Sequence, residues 1–253
     1  MENIRNIALV GASGAGKTCL AEQMLFNAKT TTRVGKIEDG NTVMDYNAEE
    51  VEKGMSMVLG VANFNWKHTK INILDTPGYV DFSGEQIAAA SAVENIIFVV
   101  NATAGFEVGF EQSLELLSES RAVKSLIINR MDNEGADFKK ALELIRENTD
   151  LTPVPILLPI GSEHKFNGVV DIVKGKAFID GQAADIPAEL SDLVEENRMA
   201  LMESVAESDD ELLEKYFEVG ELTDDELSHG IRKAIIKGNV LPVFACSATH
   251  DIA

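Results

Sequence analysis

Cysteine is scarce in this sequence of 253 residues, which contains only Cys19 and Cys246. The two are not spaced as a CxxC pair, and the four histidines are scattered along the chain. This pattern gives no indication of a disulfide framework or of a zinc site, so it fits a reducing cytoplasm. Each cysteine is expected to be a small packed side chain rather than a nucleophile.

Long hydrophobic runs are also missing, because no stretch approaches the roughly 20 apolar residues that a membrane helix needs. The composition, 45% hydrophobic and 25% charged, is typical of a folded globular protein without a membrane partner. The first 14 residues, MENIRNIALVGASG, mix charge with a short apolar run that enters a Gly-rich loop. We interpret them as the first strand of a domain and not as a signal peptide.

Basic residues are few, with 22 Lys and Arg against 42 Asp and Glu, for a net charge of −20. Residues 185–226 alone contain 16 acidic and 2 basic residues, a net charge of −14. Such a segment repels a phosphate backbone, so direct sequence-specific reading of nucleic acid by this chain is not expected. Two interpretations stay open for the acidic run: solvated helix faces, or a docking surface for a basic partner.

Strand-like and helix-like segments alternate over the first 150 residues. Apolar runs without alternation, rich in Ile and Val, are typical of strands covered on both faces. The pattern predicts an α/β fold, a doubly wound and mostly parallel sheet of the P-loop NTPase type. The predicted strands are 4–10, 58–64, 70–74, 95–100 and 125–128; the predicted helices are 18–28, 82–93, 110–118 and 137–147; residues 35–54 are predicted to form a long mobile loop.

The pattern changes after residue 159. Two short strands, 168–173 and 176–179, precede three acidic helices, and Thr223 with Glu226 forms a capping-box sequence. A last apolar strand, 240–245, resembles the first part of the chain. We therefore predict a core of residues 1–159 plus 241–253, with an α+β subdomain of residues 160–240 inserted into it. The predicted acidic helices are 187–206, 209–218 and 223–237.

A phosphate-binding loop is the strongest motif. Residues 11–18, GASGAGKT, match GxxxxGK[ST] in full between a predicted strand and a predicted helix. Backbone N–H groups of such a loop converge on phosphates at the helix N-terminus. Lys17 is expected to reach the β- and γ-phosphates, and the Thr18 hydroxyl to bind Mg²⁺. The residues expected to bind the nucleotide here are Ser13, Gly14, Ala15, Gly16, Lys17, Thr18 and Cys19.

The sequence DTPG follows the predicted strand 70–74. Asp75 is placed to hold Mg²⁺ through water. The Gly78 N–H is placed to bond a γ-phosphate oxygen, a contact that orders a segment in one nucleotide state only. Alone, the four residues would make an ordinary strand-exit turn.

Two later segments are expected to read the base. Asn129, Arg130 and Asp132 follow the strand 125–128, and Ser247 and Ala248 follow the last strand. A carboxylate that accepts two N–H bonds from guanine discriminates against adenine, so Asp132 is expected to supply most of the preference for guanine, and the expected cofactor is GTP or GDP. Asn129 would tie this loop to the phosphate loop, and the Ala248 backbone would donate to the guanine oxygen.

At this point the sequence resembles translational GTPases, and specifically the elongation factor G family. The resemblance covers the whole chain: TVMDYNAEEVEKGMSM resembles the first switch, LPIGSEHKFNGVVDIVKGKAF the start of the family's inserted subdomain, and VLPVFACSA its end. It implies that Ser56 is a Mg²⁺ ligand where the family has Thr. It also implies that the acidic subdomain contacts a basic stalk protein of the large ribosomal subunit, with the protein a monomer.

Four positions depart from the family pattern, and Tyr79 is the most telling. The resemblance implies a His there that positions the attacking water. A phenol with a pKa near 10 is a poor general base, although its hydroxyl can orient water. Tyr79, Lys17 and Gly78 are the predicted catalytic residues. The sequence DTPGYVDF resembles that of an elongation-factor-G-like branch. At the other three positions, this chain has Gly14 where the family has Asp, Arg130 where it has Lys and Ser56 where it has Thr.

Three functions stay open. The first is a GTP-dependent, ribosome-associated GTPase with weak intrinsic hydrolysis. The second is a GTP-binding module that acts by occupancy without hydrolysis, and the third, more remote, is a P-loop ATPase or kinase. A further possibility for Tyr79 is that it only packs on the switch helix.

Overall fold

The computed structural model describes residues 3–253, which form one mixed sheet of ten strands with eight α-helices. The strand order is β2-β3-β1-β4-β5-β10-β6-β7-β8-β9. The strands are β1 Asn3–Val10, β2 Gly60–Trp66, β3 Thr69–Asp75, β4 Asn95–Asn101, β5 Val123–Asn129, β6 Pro153–Ile160, β7 Gly168–Asp171, β8 Lys176–Ile179, β9 Gln182–Ala184 and β10 Leu241–Ala245. The helices are α1 Lys17–Asn27, α2 Ala48–Lys53, α3 Ser83–Ala92, α4 Val108–Leu116, α5 Phe138–Asn148, α6 Ser191–Ala206, α7 Asp210–Val219 and α8 Asp224–Lys237.

The centre of the sheet is parallel from β3 to β6, as the sequence predicts. Successive side chains of a strand point to opposite faces, and β4 illustrates the result. Phe98 and Val100 pack in one core cluster, whereas Val99 packs in the other together with Leu20 and Leu25 of α1. Helices therefore cover both faces, and the predicted α/β P-loop fold is confirmed.

The sheet is antiparallel at both ends. β2 pairs with β3 at one edge, and β6 to β9 pair in sequence at the other. Residues 161–240 thus extend the same sheet and then return to it through α6, α7 and α8, so that β10 enters between β5 and β6. The division into a core and an insert at residues 160 and 240 remains a prediction.

Three elements were not predicted. α2 lies within the predicted mobile loop, and its six residues are too few to show a helical period in the sequence. At its start, Glu50 Oε2 accepts a hydrogen bond from the Asn47 N–H at 3.2 Å. β6 contains three prolines, which are uncommon in central strands. β9 has only three residues.

The predicted capping box of α8 is confirmed. The Thr223 hydroxyl accepts from the Glu226 N–H, and Glu226 Oε2 accepts from the Thr223 N–H at 2.9 Å. Among residues 3–253, no helix combines the length and the apolar character that crossing a bilayer requires.

Candidate functional site

The phosphate loop joins β1 to α1, as its position in the sequence predicts. Gly16 adopts a left-handed conformation with φ 92°, and a Cβ there would collide with the side chain of Asn129. Only glycine fulfils both conditions without strain. The loop therefore lies directly against the segment that the sequence predicts to read the base.

Lys17 is the first residue of α1, and its side chain is buried. Its ammonium donates hydrogen bonds of 2.9 Å to the carbonyl oxygens of Gly11 and Ala12. Burial lowers the pKa of Lys17 to about 8, while Asp75 and other nearby carboxylates oppose the shift. The side chain is thus held within the loop and presents a cation at its centre.

Three predicted metal ligands meet beside Lys17. The Thr18 hydroxyl donates to Asp75 Oδ2 at 2.6 Å and lies 3.2 Å from the Ser56 hydroxyl. Asp75 ends β3 and is 1% exposed. Burial raises the pKa of Asp75 to about 7, while Lys17 and Thr18 oppose the shift. A bound cation would favour the charged carboxylate again.

These side chains fit Mg²⁺. Mg²⁺ prefers oxygen ligands and is usually held by one or two carboxylates together with phosphates and water. Asp75 Oδ1 is buried and has no hydrogen-bond partner within the described part of the chain. Over residues 3–253, no group of three or more His, Cys, Asp or Glu side chains is arranged to hold a metal ion. The donors thus fit a cation shared with a nucleotide rather than an all-protein metal cage.

The segment after β3 lies against the phosphate loop. The Thr76 hydroxyl donates to the Leu9 carbonyl oxygen at 2.7 Å. A Cβ added at Gly78 would lie 2.6 Å from Lys17 Nζ and from Ser13 Cα, so the close approach requires glycine. Tyr79 follows, with 44% of its surface exposed, at the start of the short 3₁₀ turn Val80–Phe82.

A cleft of about 290 Å³ brings together the phosphate loop, residues of the predicted first switch and the segment after β3. Of the predicted residues, it includes Tyr79, Gly78, Ser56, Arg130 and most of the phosphate loop. The lining residues are Ser13, Gly14, Gly16, Lys17, Thr18, Cys19, Ile37, Glu38, Lys53, Gly54, Met55, Ser56, Gly78, Tyr79 and Arg130.

Asn129 connects this cleft to the two loops predicted to read the base, which lie outside the cleft apart from Arg130. Its amide nitrogen donates to the Ala15 carbonyl oxygen at 2.9 Å, and its Oδ1 accepts from the Ala248 N–H at 3.1 Å. Cys246 also donates to that oxygen through Sγ, at 3.3 Å. One buried amide therefore joins three loops, in agreement with the tie expected for Asn129.

The carboxylate of Asp132 contacts the loop that follows β10. Its Oδ2 is 3.2 Å from His250 Nδ1 and accepts from the Thr249 hydroxyl at 3.5 Å. Its buried Oδ1 has no hydrogen-bond partner among the residues described. Ser247 is fully buried, and its Oγ accepts from the His250 N–H at 3.2 Å.

Asp45 lies near the site, although the sequence pattern assigned no role to it. Asp45 is 5% exposed, and burial raises the pKa of its carboxyl while the Ser56 hydroxyl opposes the shift. Its Oδ2 is a further buried oxygen without a partner in the described structure. A single carboxyl in a polar loop carries too weak a signal to be found from the sequence.

A second contact that the sequence did not indicate links residue 163 to the base loop. The Glu163 N–H donates to the Met131 carbonyl oxygen, and Glu163 Oε1 accepts from the Gly135 N–H, both at 2.8 Å. The start of the predicted insert thereby supports the loop that contains Asp132.

Comparison with known proteins agrees with this arrangement. The model of the elongation factor Tu GTP-binding domain family matches residues 2–253. A crystal structure of a protein from Thermus thermophilus is similar to this chain over its whole length, with a TM-score of 0.93 and 32% sequence identity. The chain spans 38% of the length of that protein.

Proposed function

Because the chain belongs to the family of the elongation factor Tu GTP-binding domain, we propose that it acts as the GTP-dependent, ribosome-associated switch of an elongation-factor-G-like translation factor. Family membership makes it a GTP-binding domain of the translational GTPase type. The match to the Thermus protein, with the acidic segment included, supports the resemblance to the elongation factor G family. Translocation and other activities of a longer factor are not part of the proposal.

The observation that carries the proposal is the position of Asn129. It joins the phosphate loop at Ala15 to the loop after β10 at Ala248. In the proposed complex, the unpaired Oδ1 of Asp132 and its neighbour Oδ2 accept the two N–H groups of guanine. Hydrogen bonds to a charged group contribute about 1.5–3 kcal/mol each, which supports a strong preference over adenine. The Ala248 backbone donates to the guanine oxygen, and Arg130 covers the nucleotide.

Lys17 and the phosphate-loop amides of residues 13–19 bind the phosphates in this proposal. Thr18, Ser56 and Asp75 hold Mg²⁺, with Asp75 acting through water. Bound Mg²⁺ would neutralise charge on the β- and γ-phosphates. Gly78 donates its N–H to the γ-phosphate, and this contact makes the segment sensitive to the nucleotide state.

Tyr79 is proposed to make hydrolysis slow. Phosphoryl transfer depends mainly on positioning and charge stabilisation, so its hydroxyl can orient the attacking water without acting as a base. A second candidate function, GTP binding without hydrolysis, is favoured by the same residue. Both include GTP or GDP and Mg²⁺ as cofactors.

The acidic segment is proposed to contact a basic stalk protein of the large ribosomal subunit. The charge of −14 over residues 185–226 supports this partner, and the same charge argues against direct reading of nucleic acid. The family relationship and the two free cysteines support a cytoplasmic monomer.

Nucleotide binding followed by a hydrolysis time course tests the proposal. Calorimetry with GDP, GTP and ATP in the presence of Mg²⁺ should show binding of the guanine nucleotides only. Single-turnover hydrolysis of labelled GTP, with and without ribosomes, then separates slow turnover from occupancy alone. Equal binding of ATP and GTP would contradict the proposal.

A further inference from the structure

Glu22 lies on α1 one turn after Thr18 and is fully buried. Its Oε1 accepts hydrogen bonds from the N–H groups of Val43 at 2.6 Å and Met44 at 3.1 Å. Its Oε2 is buried and has no hydrogen-bond partner within residues 3–253. A buried carboxylate without a cationic partner is costly, so its presence calls for a reason beyond packing.

The two residues whose N–H groups donate to Glu22, Val43 and Met44, immediately precede Asp45. Met44 is 1% exposed and packs in the same core cluster as Leu20 of α1. Asp45 in turn lies near the Ser56 hydroxyl, which is 3.2 Å from the Thr18 hydroxyl. Polar contacts therefore link α1 to the first switch at two points, through Glu22 to residues 43 and 44 and through Thr18 to Ser56.

The other end of the first switch is held in a similar way. Glu50 Oε1 accepts from the N–H groups of Met57 at 2.8 Å and Val58 at 3.0 Å. These residues immediately follow Ser56. Asp45 and Ser56 thus each adjoin a pair of amides held by a buried carboxylate, but only Glu22 belongs to the helix that also carries Thr18.

The charges around the site also favour a cation. Asp75 Oδ1 and Asp45 Oδ2 are both buried carboxylate oxygens without a hydrogen-bond partner in the described structure. The two carboxylates lie near one ammonium group, that of Lys17. A divalent cation would relieve this excess of negative charge.

We propose that Glu22 is a positioning residue for Mg²⁺: by holding the amides of Val43 and Met44 against α1, it keeps Asp45 directed at the metal site formed by Thr18, Ser56 and Asp75. The inference rests on the proposed function, because it concerns the Mg²⁺ of the guanine nucleotide complex. Glu22 itself does not contact the metal, and its effect passes through residues 43–45.

The test compares Glu22→Ala and Glu22→Gln with the wild type and with Glu94→Ala. Glu94 is the control for loss of a backbone acceptor, because it is exposed, accepts the Asn6 N–H at 2.9 Å and lies outside the site. The first measurement is amide hydrogen exchange of residues 43–45 in nucleotide-free protein. The second is the dissociation rate of a fluorescent GDP analogue across a Mg²⁺ titration.

In Glu22→Ala, amide hydrogen exchange at residues 43–45 should accelerate. The Mg²⁺ concentration needed to retain GDP should rise by about 10- to 100-fold, which is the usual loss of metal affinity when a residue that supports the metal ligands is removed. Glu22→Gln keeps an acceptor for the two amides without the charge, so it should shift the Mg²⁺ titration less and keep the exchange protection. Glu94→Ala should match the wild type in both measurements. Circular dichroism checks folding, and Glu22→Gln provides the comparison if the alanine variant does not fold.

Loss of exchange protection without a change in Mg²⁺ dependence would overturn the proposal, because Glu22 would then be structural only. Unchanged protection in Glu22→Ala would overturn it as well. If the wild type retained no guanine nucleotide at any Mg²⁺ concentration, the proposed function would fail first, and the two failures are therefore distinguishable.

Discussion

The carboxylate of Asp132 lies against the imidazole of His250, with Oδ2 3.2 Å from Nδ1. The same oxygen, Oδ2, also accepts a hydrogen bond from the Thr249 hydroxyl, so one of the two oxygens of the residue proposed to bind the base already has partners. The buried Oδ1 has no partner in the described structure. Asp132 is therefore fixed in the position where it would meet the base.

Asp132→Asn should weaken GTP binding and shift the preference towards xanthosine nucleotides. The amide offers one donor and one acceptor, which match xanthine, whereas guanine requires two acceptors. Competition binding of GDP and xanthosine diphosphate measures the change. An unaltered preference in the variant would mean that Asp132 does not read the base.

Tyr79→His should raise the rate of GTP hydrolysis on ribosomes by about 100-fold, the lower range of a positioned acid–base group. Tyr79→Phe distinguishes the two roles of the phenol. If the hydroxyl orients water, this variant should hydrolyse more slowly than the wild type. If Tyr79 only packs on the switch helix, the two rates should be equal, and turnover of the wild type should match that of a His-containing relative.

Gly78→Ala should lower the affinity for GTP relative to GDP by about tenfold, the value of one charge-assisted hydrogen bond. The added methyl group would lie 2.6 Å from Lys17 Nζ, so the segment must move away from the phosphate loop. Gly84→Ala is the control, because a Cβ there meets no atom within 4 Å. Equal ratios of GTP to GDP affinity in all three proteins would contradict the assigned role.

Reversal of charge at Glu214, Glu218 and Glu221 should weaken binding to the basic stalk protein by about tenfold at low salt. The three side chains are exposed on the acidic segment. The same change at exposed acidic residues outside that segment, Glu119, Glu147 and Asp150, is the matched control and should have a smaller effect. Stalk binding that tolerates the first set of changes would favour the alternative of solvated helix faces.

The two cysteines should differ in reactivity. Burial raises the pKa of Cys246 to about 12 and also raises that of the partly exposed Cys19. A raised pKa lowers the thiolate fraction at pH 8 below that of the unfolded chain. Iodoacetamide should therefore label Cys19 slowly and Cys246 only after unfolding. Because Cys19 lines the cleft, bound GDP should slow its labelling further. Rapid labelling of Cys246 in folded protein would contradict its burial.

The sequence predicted the parts of the site that depend on local patterns. The phosphate loop, Asp75 and Asn129 each follow an apolar strand, and the carboxyl ends of parallel strands lie at one edge of a sheet. The fold follows from the same alternation. α2 and β9 escaped prediction because a hydrophobic period needs more residues than they have, and β6 because its prolines argue against a central strand.

Contacts between distant segments could not be predicted. The sequence places Glu22 on a helix, but its hydrogen-bond donors are the backbone amides of residues 21 and 22 positions later. The side chains of those two residues take no part in the contact. The support that Glu163 gives to the Met131 carbonyl likewise depends on a left-handed backbone conformation and on the way β6 ends. Such contacts belong to the assembled tertiary structure and leave no repeated pattern in the sequence.

The late position of β10 has a consequence for folding. The Oδ1 of Asn129 bonds to an amide 119 residues further along the chain, and β10 must enter between two strands that precede it by long stretches. Closing so large a loop is entropically costly and slows folding. The proposed guanine pocket should therefore be among the last parts to form during synthesis or refolding, after the phosphate loop has formed.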